Sequence, residues 1–466
     1  MKKLIVMTLL AAMILSLCGC AAGSGKKPDT SFQVGYARED ITPMKPTPLG
    51  GYGNASQRLS TEFLDYLYVT CIAITDSAGN TLMLVSQDLI RSSQYKAVRS
   101  EVKKATGIPE GNIMVAATHS HSTPDPDNAG SSAWDVQYKS AIAKAAAAAM
   151  ADRSPAEISI GSAVVENMNF VRHYLLDNGT YAGSNFGDFE SGNIVDHAEE
   201  TDPGLQVVRF IRPAEDKKDI IMANWQAHPT MTGGSNETKL SADFIGPTRS
   251  YVEQQTGQLF VYFTGAAGNL VTGSKIEGEA PKRDYNQYGQ ELGGQIVKVL
   301  ENMTPVEAGE IKNTELFFDA KVNHEQESNI AQAREVVNLL STTDLTTATA
   351  QAKAYGFSSV YQCKGIINRA SFGETYGFNI NAISIGNLSF IAAPYEMFAC
   401  HGTYIKENTP FDMTFIMTCC NGDNSYIPSE KAHNYSCYES HTGRYTAETG
   451  DEVTEAFMNI LAELKG

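Results

Sequence analysis

The sequence lacks two features that mark common classes of binding protein, a run of basic residues and a Cys-x-x-Cys pair. It contains 36 Lys and Arg against 53 Asp and Glu, which gives a formal net charge of −17. Nucleic-acid binding needs clustered Lys and Arg to neutralise phosphates, so we expect no nucleic-acid partner. The missing Cys-x-x-Cys spacing likewise argues against a structural zinc site of the paired-cysteine type.

The apolar segment at the start of the chain is too short to cross a membrane. Residues 4–17 are apolar, follow two lysines and precede Cys18-Gly19-Cys20. A charged beginning, a short apolar segment and small residues before a cleavage point predict a secretory signal over residues 1–19. The Leu-Cys-Gly-Cys segment also resembles a bacterial lipobox, which implies lipid attachment at Cys20.

The rest of the chain is expected to lie outside the cytoplasm, held at a bacterial membrane surface by this lipid. Residues 20–31 are predicted to form a flexible tether to the body of the protein, residues 32–466. No low-complexity linker or internal repeat divides this body, so we predict one large catalytic domain. Six cysteines remain in it, and an even number in an exported protein permits disulfides without fixing their pairing.

Strand and helix signals alternate along the body. Two β-hairpins are predicted, one over 68–89 and one over 379–392, because apolar and β-branched runs flank Gly/Asn turns. Helices are predicted over 94–106, 134–153, 285–303 and 326–340, and further strands over 156–165, 206–211, 220–226 and 258–263. Alternating strands and helices predict an α/β fold, and the hairpins indicate a mixed sheet with flanking helices.

Three potential metal ligands stand at or just past the end of a short apolar strand: His119, His228 and Glu396. Ligands of α/β proteins commonly bind at that edge of the sheet. His121 follows two residues after His119, and residues at that spacing in a strand project to the same side. Because imidazole is the commonest metal ligand, the pattern predicts a metal site.

Several separated motifs resemble those of the neutral/alkaline ceramidase family of zinc amidases, and the similarity covers nearly all of the chain after residue 31. The motifs are GYAREDITP at 35–43, GYG at 51–53, HSHSTP at 119–124, NSYIPSE at 424–430 and YE at 438–439. Their order along the chain makes the resemblance specific.

The resemblance implies a single catalytic zinc ion held by His119, His228, Glu396 and Tyr426. Two histidines and a glutamate with an open position are typical of a hydrolytic zinc, which polarises a carbonyl and lowers the pKa of water. Tyr426 is the unusual member of the set, because a phenol binds a metal well only when the metal helps to remove its proton. An ordinary half-buried aromatic residue is the alternative for Tyr426.

Three further residues match family positions that act on the substrate: His121, Arg172 and Tyr438. His121 is expected to carry protons at the scissile amide, with direct metal ligation as the alternative. Arg172 and Tyr438 are expected to contact substrate or to stabilise developing negative charge. For Arg172, a structural ion pair is an equal alternative.

Two aspartates lie near the candidate motifs in the sequence. Asp88 and Asp40 are candidates to accept a hydrogen bond from a ligand histidine. For Asp40, capping of a turn is the better explanation.

The chain departs from the family in two places. Val271 stands where the family commonly has Ser or Asn, and no segment matches the C-terminal β-sandwich domain of the longer ceramidases. Both departures weaken the step from zinc amidase to ceramide specificity.

We therefore predict a zinc-dependent amidohydrolase that uses zinc-activated water to cleave the N-acyl amide bond of ceramide or a related N-acyl lipid. A zinc hydrolase of a non-sphingolipid amide or ester is the alternative within the same chemistry. A non-catalytic surface-binding lipoprotein is the alternative outside it, although a binding module has no need of all four candidate ligands.

Overall fold

Three mixed β-sheets with helices against their outer faces make up the fold. The computed structural model describes residues 31–52, 58–128 and 133–466. The predicted signal and lipidated Cys20 lie outside the described residues.

Each large sheet combines antiparallel hairpins with one parallel pair of strands. The first sheet has the spatial order Ile113–Ala117, Thr81–Gln87, Tyr68–Thr75, Gln33–Asp40, Ser154–Pro155. The second has the order Leu259–Thr264, Ile220–Trp225, Gly204–Ile211, Glu157–Val164, Thr304–Val306. The third has the order Ile311–Lys321, Thr375–Ile385, Leu388–Ala392, Met413–Met417.

Short strands complete the sheet structure around the edges of these three. A small sheet has the order Tyr181–Gly183, His173–Leu176, Ile194–His197. Three two-stranded ribbons pair Glu62–Phe63 with Lys239–Leu240, Phe170–Val171 with Leu270–Val271, and Glu396–Met397 with Tyr426–Ile427.

The helices pack on the faces that the sheets leave free. They are Tyr95–Thr106, Ala133–Ala151, Ile245–Thr256, Tyr285–Val299, Ile330–Leu339, Leu345–Ala354, Val360–Arg369, Ala399–Asn408, Glu430–Asn434, Tyr438–Thr442 and Thr449–Lys465. Short 3₁₀ turns lie at Glu110–Asn112, Phe189–Ser191, Gly234–Asn236 and Glu327–Asn329. Within the described ranges, no helix has the length and apolar character that spanning a bilayer requires.

Three strands of the first sheet, Tyr68–Thr75, Thr81–Gln87 and Ile113–Ala117, are buried on both faces, which explains their largely apolar sequences. In Tyr68–Thr75, Val69 and Cys71 face a core shared with the helices Tyr95–Thr106 and Ala133–Ala151. Ile72 and Ile74 of the same strand face a second core, in which apolar side chains of all three sheets pack together. Successive side chains of a strand alternate faces, so one eight-residue strand contributes to both cores.

The three parallel pairs bring their carboxyl ends to one place. The pairs are Thr81–Gln87 with Ile113–Ala117, Ile220–Trp225 with Leu259–Thr264, and Leu388–Ala392 with Met413–Met417. Hydrogen bonds tie these ends together: Thr264 Oγ1 donates to the Thr118 carbonyl at 2.8 Å, and the Thr418 amide donates to the Thr264 carbonyl at 3.0 Å. The loops that leave these strands therefore begin side by side.

Both predicted hairpins are confirmed, with strands at Tyr68–Thr75 and Thr81–Gln87 and at Thr375–Ile385 and Leu388–Ala392. The predicted α/β class with mixed sheets is confirmed as well. The predicted helix over 326–340 begins later than expected, since a 3₁₀ turn precedes the α-helix Ile330–Leu339. All six cysteines of the described residues are free thiols, so none of the disulfides that the even number permits is formed.

Candidate metal centre

Three candidate metal ligands, His119, His228 and Glu396, come together from three different sheets. His119 follows the strand Ile113–Ala117 of the first sheet, and His228 follows Ile220–Trp225 of the second. Glu396 lies beyond Leu388–Ala392 of the third sheet, and its Oε2 is 3.2 Å from His119 Nε2 and 3.0 Å from His228 Nε2.

Backbone carbonyls fix the orientation of both imidazoles. His119 Nδ1 lies 2.7 Å from the Ile90 carbonyl oxygen, and His228 Nδ1 lies 2.7 Å from that of Ala267. A carbonyl only accepts, so each Nδ1 carries the proton, and in a neutral ring each Nε2 presents its lone pair. With both rings neutral, two nitrogen lone pairs and a carboxylate oxygen converge, an arrangement that suits a metal cation between them. Without a metal, burial would lower the pKa of His119, but Cys419 and Glu396 raise it well above its usual value, so a proton takes the place of the cation.

This donor set fits a zinc ion. Tetrahedral zinc with bonds of about 2.0–2.1 Å to nitrogen and oxygen separates its ligands by about 3.3 Å. The separations of 3.0 and 3.2 Å from Glu396 Oε2 to the two imidazole nitrogens are close to that value. The residues present are thus of the right type and spacing to hold the metal.

Burial and charge set the ionisation state of Glu396. Burial by itself would raise the pKa of this carboxyl, but His119 and His228 outweigh it and hold the pKa well below its usual range. The carboxylate is therefore charged and available as a ligand.

The ring of His121 lies beside these ligands and makes no hydrogen bond to the described residues. Its ring centroid is 5.1 Å from that of His119 and 5.7 Å from that of His228, and both of its ring nitrogens are buried without a partner in the described structure. The ligand atoms of the three histidines lie within 4.8 Å of one another. Burial, followed by the two neighbouring imidazoles, holds the pKa of His121 well below its usual value, so the ring is neutral.

A short parallel ribbon places Tyr426 beside Glu396. Glu396 and Tyr426 are register partners in the pairing of Glu396–Met397 with Tyr426–Ile427. Partners in register project to the same face, so the phenol stands next to the carboxylate. Its ring also stacks near His228, with centroids 6.4 Å apart.

Arg172 and Tyr438 approach Tyr426 from its other sides. The Arg172 guanidinium lies 5.6 Å from the centroid of the Tyr426 ring, and the Tyr438 ring lies edge-on at 6.1 Å. Arg172 also donates from Nε to Glu439 Oε1 at 2.6 Å, so it takes part in a buried ion pair as well. Arg172 can contact substrate and form a structural ion pair at the same time, because one guanidinium has five N–H groups.

One cavity of about 860 Å³ exposes these side chains. His119, His121, Arg172, Glu396 and Tyr426 line it. Tyr438 lines it too. His228 is only 1% exposed and does not line the cavity, but its Nε2 contacts Glu396 Oε2. A volume of this size falls within the range of small-molecule sites.

Backbone strain is concentrated at this cavity. His119, Cys419 and Ser425 all line it and have positive φ angles of 66°, 49° and 65°. Non-glycine residues adopt this conformation at a cost that the surrounding packing must offset, and such positions cluster at functional sites.

The expectation that Asp88 orients a ligand histidine is wrong. Its carboxylate is 2.8 Å from Arg249 Nη2 and accepts the Tyr68 amide proton, while a backbone carbonyl orients His119. Asp40 caps a turn, as expected, by accepting from the Thr42 amide at 2.7 Å.

Sequence reasoning missed residues whose roles depend on contacts over long chain distances. Tyr52 packs on His121 with ring centroids 4.9 Å apart, and Cys419 Sγ lies 3.5 Å from His119 Nδ1. Glu439 is the buried partner of Arg172, 267 residues later in the chain. Tyr52 and Glu439 fall inside the motifs GYG and YE, which was the one available signal for them.

Of three comparisons with known proteins, only the search of solved structures found matches, and these share this architecture. A scan against protein-family models and a search of curated proteins found no match. Among solved structures, neutral ceramidase from Pseudomonas aeruginosa superposes with a TM-score of 0.69 at 17% identity, over 93% of this chain and 74% of that chain. A structure described as ceramidase complexed with C2 gives 0.66 at 18% identity, over 93% and 75%.

At this level of identity the comparisons establish the fold. The mixed α/β sheets with flanking helices and the placement of candidate metal ligands at their strand ends agree with the resemblance drawn from the motifs. The chain therefore has the fold of the neutral ceramidases.

Proposed function

We propose that this protein is a zinc-dependent hydrolase that cleaves an N-acyl amide bond, of the kind found in ceramide and related N-acyl lipids. The observation that carries the proposal is the convergence of His119 Nε2 and His228 Nε2 on one oxygen of Glu396 inside a cavity. The ceramidase-type fold adds support.

His119, His228, Glu396 and Tyr426 would hold the metal. Two imidazoles, a carboxylate and a phenol form the nitrogen and oxygen donor set that suits zinc. A bound zinc ion supplies a Lewis acid, which polarises the amide carbonyl and makes water a better nucleophile at neutral pH.

His121 is the proposed proton carrier of the reaction. Its ring is neutral and its nitrogens are unpartnered in the described structure, so it is free to accept a proton from the attacking water. It then returns that proton to the nitrogen of the leaving amine, which completes the cleavage of the C–N bond.

Arg172 and Tyr438 are proposed to stabilise the negative charge that develops on the carbonyl oxygen. Glu439 forms an ion pair with Arg172, and Tyr438 lines the cavity with its ring 6.1 Å from that of Tyr426. Donors held in fixed positions before the reaction stabilise a transition state without reorganising during it.

A non-sphingolipid amide or ester is the second candidate substrate class. The described lining of the cavity favours it, because Ile90 and Val271 are the only aliphatic side chains longer than alanine among those residues. A two-chain lipid needs a more extensive apolar surface.

We further propose that lipid attachment at Cys20 keeps the hydrolase at the outer side of a bacterial membrane. Mass spectrometry of the protein recovered from membranes tests this directly, since Cys20→Ser should remove the lipid mass and release the protein into the soluble fraction.

Metal analysis of the purified protein tests the site. We expect about one zinc per chain in the wild type and loss of bound zinc in His119→Ala and Glu396→Ala. His324→Ala, at a histidine that pairs with Glu327 outside the cavity, should retain full zinc content. A wild-type protein without zinc, or unchanged zinc in both site variants, would contradict the proposal.

The division of labour between His119 and His121 has its own test. We expect His121→Ala to retain zinc and to lower kcat at least 100-fold, as loss of a general acid–base group does. Loss of zinc from His121→Ala would instead identify His121 as a ligand.

A further inference from the structure

The metal cavity carries an excess of positive charge in a protein whose formal net charge is −17. Four cationic residues line it, in contrast to the carboxylates of Glu396 and Asp423. The cations are Arg91, Arg172, Lys275 and Arg444. A positively charged cleft raises the local concentration of negatively charged ligands, even when the net charge of the protein is negative.

Two of these cations are neutralised within the protein. Arg91 Nη1 lies 2.8 Å from Asp423 Oδ2, and Arg172 Nη2 lies 2.5 Å from Glu439 Oε1. Glu396 faces the ligand histidines, so it is not available to the other cations. Arg444 and Lys275 remain, and within the described ranges neither has a carboxylate at ion-pair distance.

Arg444 packs against aromatic rings and has no hydrogen-bond partner of opposite charge among the described residues. Its guanidinium lies 4.4 Å from the ring centroids of both Phe372 and Tyr376. Its Nε is buried without a partner in the described structure, and its Nη1 makes two long contacts, 3.4 Å to Asn424 Oδ1 and 3.5 Å to the Tyr445 hydroxyl. A planar guanidinium packed against two adjacent aromatic rings, whose centroids are 4.7 Å apart, keeps its terminal N–H groups for a carboxylate.

Lys275 stands on a different segment of the lining, after the ribbon strand Leu270–Val271. Its Nζ lies 4.8 Å from the centroid of Phe189, and its backbone amide donates to the Tyr174 hydroxyl at 3.0 Å. The side chain is exposed, so it offers a mobile positive charge where the cavity opens.

We propose that the cavity binds an N-acyl amide substrate that carries a carboxylate, with Arg444 as its anchor and Lys275 as a supporting charge. The inference rests on the proposed hydrolase function and narrows its substrate to the class of N-acyl amino acids. A neutral substrate would leave the Arg444 fork unsatisfied, whereas a carboxylate accepts two of its N–H groups.

Two single-chain amides with the same acyl chain, one charged and one neutral, test this. N-lauroylglycine carries the carboxylate, and N-lauroylethanolamine has an uncharged hydroxymethyl group in its place. We expect kcat/KM of the wild type to favour N-lauroylglycine at least 10-fold. Arg444→Gln should reduce that preference about 10- to 100-fold, mainly through KM, as loss of a charged hydrogen bond does.

Matched variants control the comparison. Arg334→Gln, at an exposed arginine outside the cavity, should keep the wild-type preference. Arg444→Lys keeps the charge without the fork and should give an intermediate preference. Lys275→Met should reduce the preference about fivefold, and it provides an independent test if Arg444→Gln melts well below the wild type.

The outcomes separate this inference from the proposed function. Equal kcat/KM for the two amides, or an unchanged preference in both Arg444→Gln and Lys275→Met, overturns the inference while leaving the hydrolase intact. If neither amide is hydrolysed, ceramide hydrolysis and the zinc analysis decide the proposed function, and calorimetric binding of the same two amides decides the inference. Tighter binding of N-lauroylglycine that weakens at least 10-fold in Arg444→Gln then supports it, and equal binding of the two overturns it.

Discussion

Single buried carboxylates organise the surroundings of the cavity. Glu439 is fully buried, with Oε1 on Arg172 and Oε2 2.8 Å from His173 Nε2. Burial alone would raise its pKa, but Arg172 and His173 hold the pKa far below its usual range. Because the neighbouring His173 also contacts the Tyr435 hydroxyl at 2.8 Å, this carboxylate connects Arg172 to the protein interior.

At this scale we predict that Glu439→Gln lowers the free energy of unfolding by about 3 kcal/mol, because Arg172 loses its buried counter-charge. Hydrolysis should also slow, since the guanidinium is no longer held in position. Urea denaturation measures the first effect. Glu253→Gln, which removes the partly exposed partner of Arg38, should cost no more than about 1 kcal/mol. Equal costs for the two variants would contradict the assignment.

Asp243 is a buried carboxylate with no cationic side chain at ion-pair distance among the described residues. It accepts hydrogen bonds from the Thr232 amide, the Thr232 hydroxyl and the Phe244 amide, each at 2.8 Å. Burial nevertheless raises its pKa to about 6. An unfolded aspartate has a pKa of about 3.9, so between these values the folded state binds more protons and loses stability as pH rises.

We therefore predict that Asp243→Asn, which cannot ionise, gains stability relative to the wild type as pH rises from about 4 to 7. The relative gain should be about 3 kcal/mol, the value of roughly two pKa units. Urea unfolding of both proteins at the two pH values measures it, with the exposed Asp319→Asn as the baseline. A difference between the proteins that does not change with pH would refute the prediction.

Among the elements, the loop before the first candidate ligands positions His121 by close contact. Gly51 has a φ of 99°, and a Cβ added there would lie 2.5 Å from His121 Cγ. Only glycine allows both this backbone conformation and this approach. The loop therefore fixes one side of the His121 ring, and Tyr52 of the same loop packs against it.

Gly51→Ala should displace the His121 ring and lower kcat at least 10-fold while zinc content stays near that of the wild type. Gly79→Ala is a matched control, because Gly79 has a similar φ of 90° but nothing within 4 Å of an added Cβ. Both variants carry the backbone strain, and only Gly51→Ala carries the contact. If both lose activity to the same extent, strain rather than His121 displacement is responsible.

Across the whole molecule, the site exists because three sheets meet at the carboxyl ends of their parallel strands. Asn224 links the second and third sheets: its Nδ2 donates to the Phe263 carbonyl at 2.9 Å and to the Ile416 carbonyl at 2.7 Å. Asn224 is fully buried, so both hydrogen bonds lie away from water. The relative position of His228 and Glu396 depends on such links.

We predict that Asn224→Ala lowers the free energy of unfolding by about 2–4 kcal/mol and weakens zinc binding at least 10-fold. Asn381→Ala is the matched control. Asn381 is also buried and donates to Asn313 and to the Thr314 carbonyl, but within the third sheet alone. Asn381→Ala should lower the free energy of unfolding by a comparable amount and leave the zinc affinity unchanged. Competition with a chelator measures that affinity. Unchanged zinc affinity in Asn224→Ala would show that the link between sheets does not position the ligands.

Local patterns along the chain were enough to predict the hairpins and the helix at 134–153. Both hairpins are present, and the helix runs Ala133–Ala151. Other elements gave weaker patterns. The helix Ile245–Thr256 begins with Ile-Gly-Pro, and short strands such as Phe170–Val171 are fixed by partners distant in sequence.

The sequence by itself determined the α/β class, the strand ends that carry His119, His228 and Glu396, and the family that these motifs resemble. The fold class and the strand ends follow from local periodicity, which reports which face of an element is buried. The family follows only from the resemblance of the separated motifs. Only the tertiary structure decided that Glu439 neutralises Arg172, while Arg444 in the cavity lining has no carboxylate at ion-pair distance among the described residues. Pairing of charges depends on distances between residues hundreds of positions apart, and no local pattern encodes those distances.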